Sequence, residues 1–243
     1  MPIKYSTEAI LKRIDHALHE DIANLYKAPL INWSGCSSSG INYSEIIAER
    51  LISDGIVGRI LAIPEIERQN YKVDTHDGKL AKKTMRKEEI FAKELFDYCS
   101  SGDKQLNAIG KIIDYQVPLK ASLKDKGIGK IDLIAYCKKP IDIVYLLELK
   151  YKDNKETLLR CVLEISTYFR LLHKTKFLAS YPELKHLRSD NIRTGILVFN
   201  GSAQHKEIEE MTSGKRPQME KLFKTLTIDI FLIKTEYIVE QVQ

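Results

Sequence analysis

The chain is poor in cysteine, and its four, Cys36, Cys99, Cys137 and Cys161, are scattered with no Cys-x-x-Cys pair. That spacing suits neither a zinc ribbon nor a disulfide framework, and the four read as free thiols of a reducing compartment. His16 and His19 share a polar segment without further ligand-type neighbours, so zinc is not expected there. No apolar run approaches the roughly 20 residues of a membrane span. The start, Met1-Pro2-Ile3-Lys4-Tyr5, lacks the apolar core of a signal peptide, and a cytoplasmic location without membrane contact is the expectation. Internal repeats and low-complexity linkers are missing too. The loop Trp33-Ser34-Gly35-Cys36-Ser37-Ser38-Ser39-Gly40 is not followed by Gly-Lys-Ser/Thr, which excludes a P-loop. Charge of one sign does not dominate. A net +5 is compatible with a polyanionic partner without demanding one, and a 44% hydrophobic fraction over 243 residues suffices for a full core.

What the chain does have is two short apolar segments that each carry charge. Ile128 to Tyr136 contains Asp132, and Ile143 to Tyr151 contains Glu148 and Lys150. Both are rich in β-formers and too short for buried helices. Cys137-Lys138-Lys139-Pro140 punctuates a turn between them, so they are expected to pair as adjacent antiparallel strands that bring Asp132 and Glu148 together. Period-2 alternation puts Glu148 and Lys150 on one face. Two carboxylates at neighbouring strand ends suit a hard divalent cation that keeps several waters. A lysine beside them can orient the attacking water or neutralise charge developing on a phosphate. The purely structural alternative is an ion pair of Glu148 with Lys150 closing a strand end. Against it, Leu146, Leu147 and Leu149 make the strand apolar on both faces, as in the centre of a sheet.

Ile131-Asp132, a hairpin, then Glu148-Leu149-Lys150 resembles the signature of the PD-(D/E)XK nuclease superfamily, with Ile131 in the place of its proline. The order of predicted elements agrees over Arg86 to Asn200. A helix at Lys87 to Tyr98 precedes strands at Ile112 to Lys120, Gly129 to Tyr136 and Ile143 to Tyr151, then a helix at Glu156 to His173 and a strand at Gly195 to Phe199. The resemblance implies an α/β, restriction-endonuclease-like αβββαβ core with a mixed central sheet flanked by helices, at residues 85–243. Residues 1–84 are then a helical N-terminal extension. It implies an Mg²⁺-dependent nuclease, with Mn²⁺ able to substitute, acting on DNA as an endonuclease. A catalytically silent nucleic-acid-binding or assembly module of the same fold is the alternative.

The family's upstream glutamate belongs on the helix before the meander. On a helical wheel Glu88 falls near the centre of the apolar face formed by Phe91, Ala92, Leu95, Phe96 and Cys99, with Glu89 at its edge and Glu94 opposite. Glu88 is therefore the candidate third ligand beside Asp132 and Glu148, with Glu89 in reserve and capping of its own helix as the structural alternative. The family's exonuclease-like members carry Gln-x-x-x-Tyr on the following helix. Here Glu164 to Tyr168 has the spacing with glutamate in place of glutamine, in a row with Arg160. Glu164 is expected to pair with Lys150 or Arg160.

Basic residues cluster at Lys79, Lys82, Lys83, Arg86 and Lys87 and again at Lys120, Lys124, Lys126 and Lys130. Flanking an acidic pocket, they suit a phosphate backbone, and Lys82, Lys83, Arg86, Lys130, Arg160 and Tyr168 are the candidate nucleic-acid contacts. Elsewhere, Ser6 or Thr7 is expected to cap a helix running to about Tyr26. Asn42 with Glu45 should form a capping box on a second helix that stops at Asp54-Gly55. One helix is expected from Ala203 to Lys221 and a strand from Leu226 to Ile233. The extension's role, including homodimer formation, is open.

Overall fold

Ile143–Lys150 is apolar on both faces and forms β3, buried along nearly its whole length near the middle of one six-stranded sheet. The computed structural model describes residues 4–73, 85–122, 125, 127–138 and 140–242. Three strands build an antiparallel meander, β1 (Lys111–Pro118), β2 (Lys130–Cys137) and β3. The crossover helix α5 (Leu158–Leu171) leads through α6 (Lys174–Ser180) to β4 (Ile192–Phe199), parallel to β3. Helices α7 (Ala203–Thr212) and α8 (Pro217–Leu226) lead to β5 (Ile228–Thr235), parallel to β4, and β6 (Ile238–Gln241) returns antiparallel at the edge. The architecture is thus α/β with a mixed open sheet in the order β1 to β6, flanked by helices. No helix among the described residues is long and apolar enough to cross a membrane.

Alternation along the strands sorts the core into two layers. Leu133, Ala135, Tyr145, Leu147, Leu149 and Leu197 face α4 (Lys87–Ser100) through Phe91, Leu95 and Cys99. Ile134, Val144, Leu146, Ile196 and Val198 face α5 and α8. The same second layer takes in Ile10, Ile14, Ile47 and Leu51 of α1 (Thr7–Leu18) and α2 (Tyr43–Ser53) and Ile60 of α3 (Ile56–Leu61), so residues before 84 share one apolar cluster with the crossover helix.

Several local expectations need correction. The first helix stops at Leu18, because the Asp21 carboxylate accepts the Ala23 N–H at 3.0 Å and opens a separate 3₁₀ turn over Ile22–Lys27. The helix expected from Ala203 to Lys221 is two, broken at Gly214 (φ 77°) and restarted by Pro217 in its first turn. The capping box at Asn42 does not form. Glu45 is buried instead, and its two oxygens accept the N–H groups of Gln218 and Met219 at 2.9 Å each. A carboxylate from α2 thus caps the first turn of α8, where free donors and the helix dipole favour negative charge.

Glu45→Ala should therefore cost about 1.5–3 kcal/mol in urea unfolding, the range of hydrogen bonds to a charged group. A loss below roughly 0.5 kcal/mol, the level of an ordinary surface change, would refute the remote cap.

Candidate functional site

The even-numbered face of β3 is apolar at Val144 and Leu146 and then turns ionic at Glu148 and Lys150, facing the first turns of α5. Asp132 stands on β2 one residue beyond the last aligned pair, Leu133 with Leu147, which sets it opposite Glu148. One Asp132 oxygen accepts the backbone N–H of Leu149 at 2.9 Å and the other the side-chain amide of Gln116 at 2.7 Å. The two segments with anomalous charges therefore meet at one end of the sheet, in a cavity of about 430 Å³.

Lys150 is 4% exposed. Its Nζ lies 2.7 Å from Glu148 Oε1, 2.6 Å from Glu156 Oε2 and 3.9 Å from Glu164 Oε2. Burial opposes its charge, but the Glu148 carboxylate, with Glu164 and Asp132 behind it, outweighs burial and holds the ammonium well above the usual lysine range. Arg160 Nε is 2.9 Å from Glu156 Oε1 and 3.8 Å from Glu164 Oε2, without the alignment of a hydrogen bond. The Tyr168 hydroxyl donates to Glu164 at 2.7 Å and stands 3.4 Å from the Tyr26 hydroxyl. Gly129 makes room for it, since a Cβ there would fall 1.9 Å from Tyr168 Oη. Arg160, Glu164 and Tyr168 thus form an inward network instead of a solvated helix edge, and Glu164 meets both cations expected of it.

Glu88 does not cap its own helix. It accepts the Asn154 side-chain amide at 2.6 Å and the Tyr151 N–H at 3.3 Å, just past the end of β3. It lines the same cavity as Asp132 and Glu148, and its charge helps to raise the Asp132 pKa. Glu89, also on the lining, pairs with Arg86, while Glu94 is exposed. Arg86 and Lys130 are exposed on the rim and Arg160 and Tyr168 lie deeper. Lys82 and Lys83, with Lys79, Lys124 and Lys126, lie outside the described residues.

Sequence reasoning missed Gln116, Glu156, Asn154 and Gly129. Gln116 sits in β1 with φ 49°, a left-handed backbone uncommon for a non-glycine residue. The strain aims its amide at Asp132. No local pattern announces that conformation. Glu156 had a weak signal, an acid four residues before Arg160.

Six acidic and four basic side chains line the cavity, an excess of two negative charges when all are ionised. The crowding shows in the pKa values. Burial first, then the neighbouring carboxylates, pushes Asp132 up to about 7 against the pull of Lys150 and the Leu149 N–H. Burial and the charge of Glu164 push Glu148 up as well. Among the described residues no three His, Cys, Asp or Glu side chains converge on a metal position as they lie, because the carboxylates are turned onto Lys150, Gln116 and the Tyr151 to Asn154 segment. The donor chemistry nevertheless fits Mg²⁺ or Mn²⁺: three hard carboxylates on two strands and a helix, in an acid-rich cavity that a divalent cation would neutralise.

Compared with models of known protein families, with curated proteins and with solved structures, the chain has no significant match.

Between the ordinary 3.8 and about 7, the folded chain holds a proton on Asp132 that the unfolded chain releases. The Asp132 contribution to stability in chelator is therefore fully present below about pH 4, is lost as pH rises to about 7 and stays absent above. In Asp132→Asn the slope of stability against pH should become shallower, the raised Glu148 carboxyl keeping part of it. The substitution leaves the Leu149 N–H without its anionic acceptor, an offset that does not titrate, so the difference in slope is the readout. Parallel profiles of melting temperature against pH for the two proteins in EDTA would reject the assignment.

Proposed function

We propose that the protein is a metal-dependent nuclease of the PD-(D/E)XK kind, cutting phosphodiester bonds of nucleic acid, DNA foremost, as an endonuclease. The observation that carries this reading is the convergence of Asp132, Glu148 and Lys150, from adjacent antiparallel strands, with Glu88 from the preceding helix in one acid-rich cavity. The element order from α4 through the meander and α5 to β4 supports it as the family's αβββαβ core.

In this reading Asp132 and Glu148, with Glu88, hold Mg²⁺ or Mn²⁺, which when bound supplies Lewis-acid polarisation of the phosphate and a water of lowered pKa. Gln116 orients Asp132, as a hydrogen-bonded carboxylate presents its free lone pairs in one direction. Glu156 holds the Lys150 ammonium on the cavity side of β3, where it positions the attacking water and meets charge developing on the phosphate. Arg86 and Lys130 on the rim provide phosphate contacts that carry no sequence information.

A catalytically silent nucleic-acid-binding or assembly module is the second reading. The observation in its favour is that Lys150 is already engaged by Glu148 and Glu156. A buried ammonium so held stabilises the fold without any chemistry, and Lys150→Met would leave its carboxylates unpaired at a cost of about 3–5 kcal/mol. That substitution confounds stability with activity, so Asp132→Asn is the better probe.

Circular and linear plasmid DNA incubated with Mg²⁺, Mn²⁺ or chelator separates the readings. Nicked and linear products from the circle should form with either metal and vanish in chelator. Asp132→Asn should lower the rate by at least about 10²-fold. Metal-independent binding without cleavage of DNA or RNA would favour the silent module.

A further inference from the structure

A second cavity, of about 600 Å³, lies apart from the acid-rich one. It opens between α1 and the segment 28–33, and its volume is that of a small-molecule site. Lys12, Arg13 and His16 line it from the exposed face of α1, with Pro29 and Trp33 opposite. Glu20 is the single acid on its wall.

The indole of Trp33 is held in place. Tyr5 stacks on it at 4.7 Å between centroids with planes 12° apart, and Tyr43 meets it edge-on at 5.8 Å. The Arg13 guanidinium carbon lies 5.0 Å from the Tyr5 ring centre and 5.5 Å from that of Trp33. Lys12, Arg13 and His16 make no ion pair among the described residues, whereas Arg50, Arg160 and Arg216 all face carboxylates. An aromatic wall beside three unpaired basic side chains suits a planar ring that carries an anion.

From this we infer that the cavity is a nucleotide subsite, taking one base against Trp33 with its phosphate on Lys12, Arg13 and His16. The Thr157 hydrogen bonds that tie this wall to the start of α5 make a strand of substrate the source of that nucleotide, a step that rests on the nuclease reading. The wall segment is fastened from its other side to the cap of α5: Thr157 Oγ1 donates to the Ile31 carbonyl at 2.6 Å, and the Thr157 N–H donates to Asn32 Oδ1 at 2.8 Å. Thr157 follows Glu156, the partner of Lys150. Asn32, which holds Thr157, is the sequence neighbour of the stacking residue Trp33.

Trp33 is the only tryptophan in the sequence, so intrinsic tryptophan emission reports on this cavity alone. The Asp132→Asn protein in EDTA, which should not cut, is titrated with single-stranded oligo-dT of eight nucleotides, with dTMP and with thymidine. The oligonucleotide should quench Trp33 saturably, dTMP more weakly and thymidine least. Lys12→Gln combined with Arg13→Gln should weaken the oligonucleotide about tenfold or more with an unchanged melting temperature, and Lys12→Glu alone should act in the same direction. Quenching by dTMP as tight as by the oligonucleotide keeps the nucleotide chemistry and assigns it to a free nucleotide. No quenching by either, or quenching that both variants leave intact, overturns the subsite. Plasmid cleavage by the wild type with a silent Trp33 would sink this inference alone, and quenching without any cleavage would sink the nuclease reading alone.

Discussion

A buried ammonium tolerates burial only when anions surround it, and that requirement at Lys150 organises one end of the sheet. Lys150 lies at the end of the most buried strand, so its partners must come to it. Glu148 arrives from the same face of the same strand, Glu156 from the chain just before α5, and Glu164 from two turns into that helix. Because α5 has to deliver two of these acids, its start is fastened from both sides. Thr157 caps its first turn and is itself tied to Ile31 and Asn32 of the N-terminal segment. The crossover geometry and the ionic cluster therefore specify one another.

The same arrangement leaves acids in surplus. Lys150 and Arg160 cannot neutralise Asp132, Glu88, Glu148, Glu156 and Glu164 together, and that shortage adds to burial, the main cause, in shifting Asp132 and Glu148 upward. A structural ion-pair network gains by balancing its charges. One that keeps an excess of carboxylates beside an open cavity, and spends a left-handed Gln116 to orient one of them, favours whatever cation can enter. In the proposed metal-dependent reading, cation binding and proton release from these carboxylates would be one linked equilibrium.

The meander was legible because its signals are local. Period-2 runs of β-formers, a Lys-Lys-Pro turn and apolar residues on both faces of Ile143–Lys150 are enough to pair β2 with β3 and to oppose Asp132 with Glu148. The helical wheel put Glu88 on the correct side of α4, yet its partners Tyr151 and Asn154 lie more than 60 residues away and no wheel reaches them. Distance explains the misreadings too. Asn42 and Glu45 have capping-box spacing, but a carboxylate on a buried helix face can serve any helix end packed against it, and α8 is the nearer need. Gln116 was illegible for another reason: its role depends on a positive φ that its residue type does not advertise.

The N-terminal residues follow from the same constraint. Tyr26 reaches the Tyr168 hydroxyl, Asn32 and Ile31 hold Thr157, and Glu45 caps α8, so each attachment falls on a helix that backs the sheet beneath Lys150. A segment that only covered apolar surface would need none of these polar contacts, because burial is non-directional. Hydrogen bonds to Thr157 and the Tyr168 hydroxyl do have direction. They set the height and rotation of α5 over β3, and with it the reach of Glu156 and Glu164 to the ammonium. Loosening the segment 22–33 should therefore disturb the charge cluster before it disturbs the sheet. In this molecule the ionic site and the helices before residue 84 are parts of one mechanical unit.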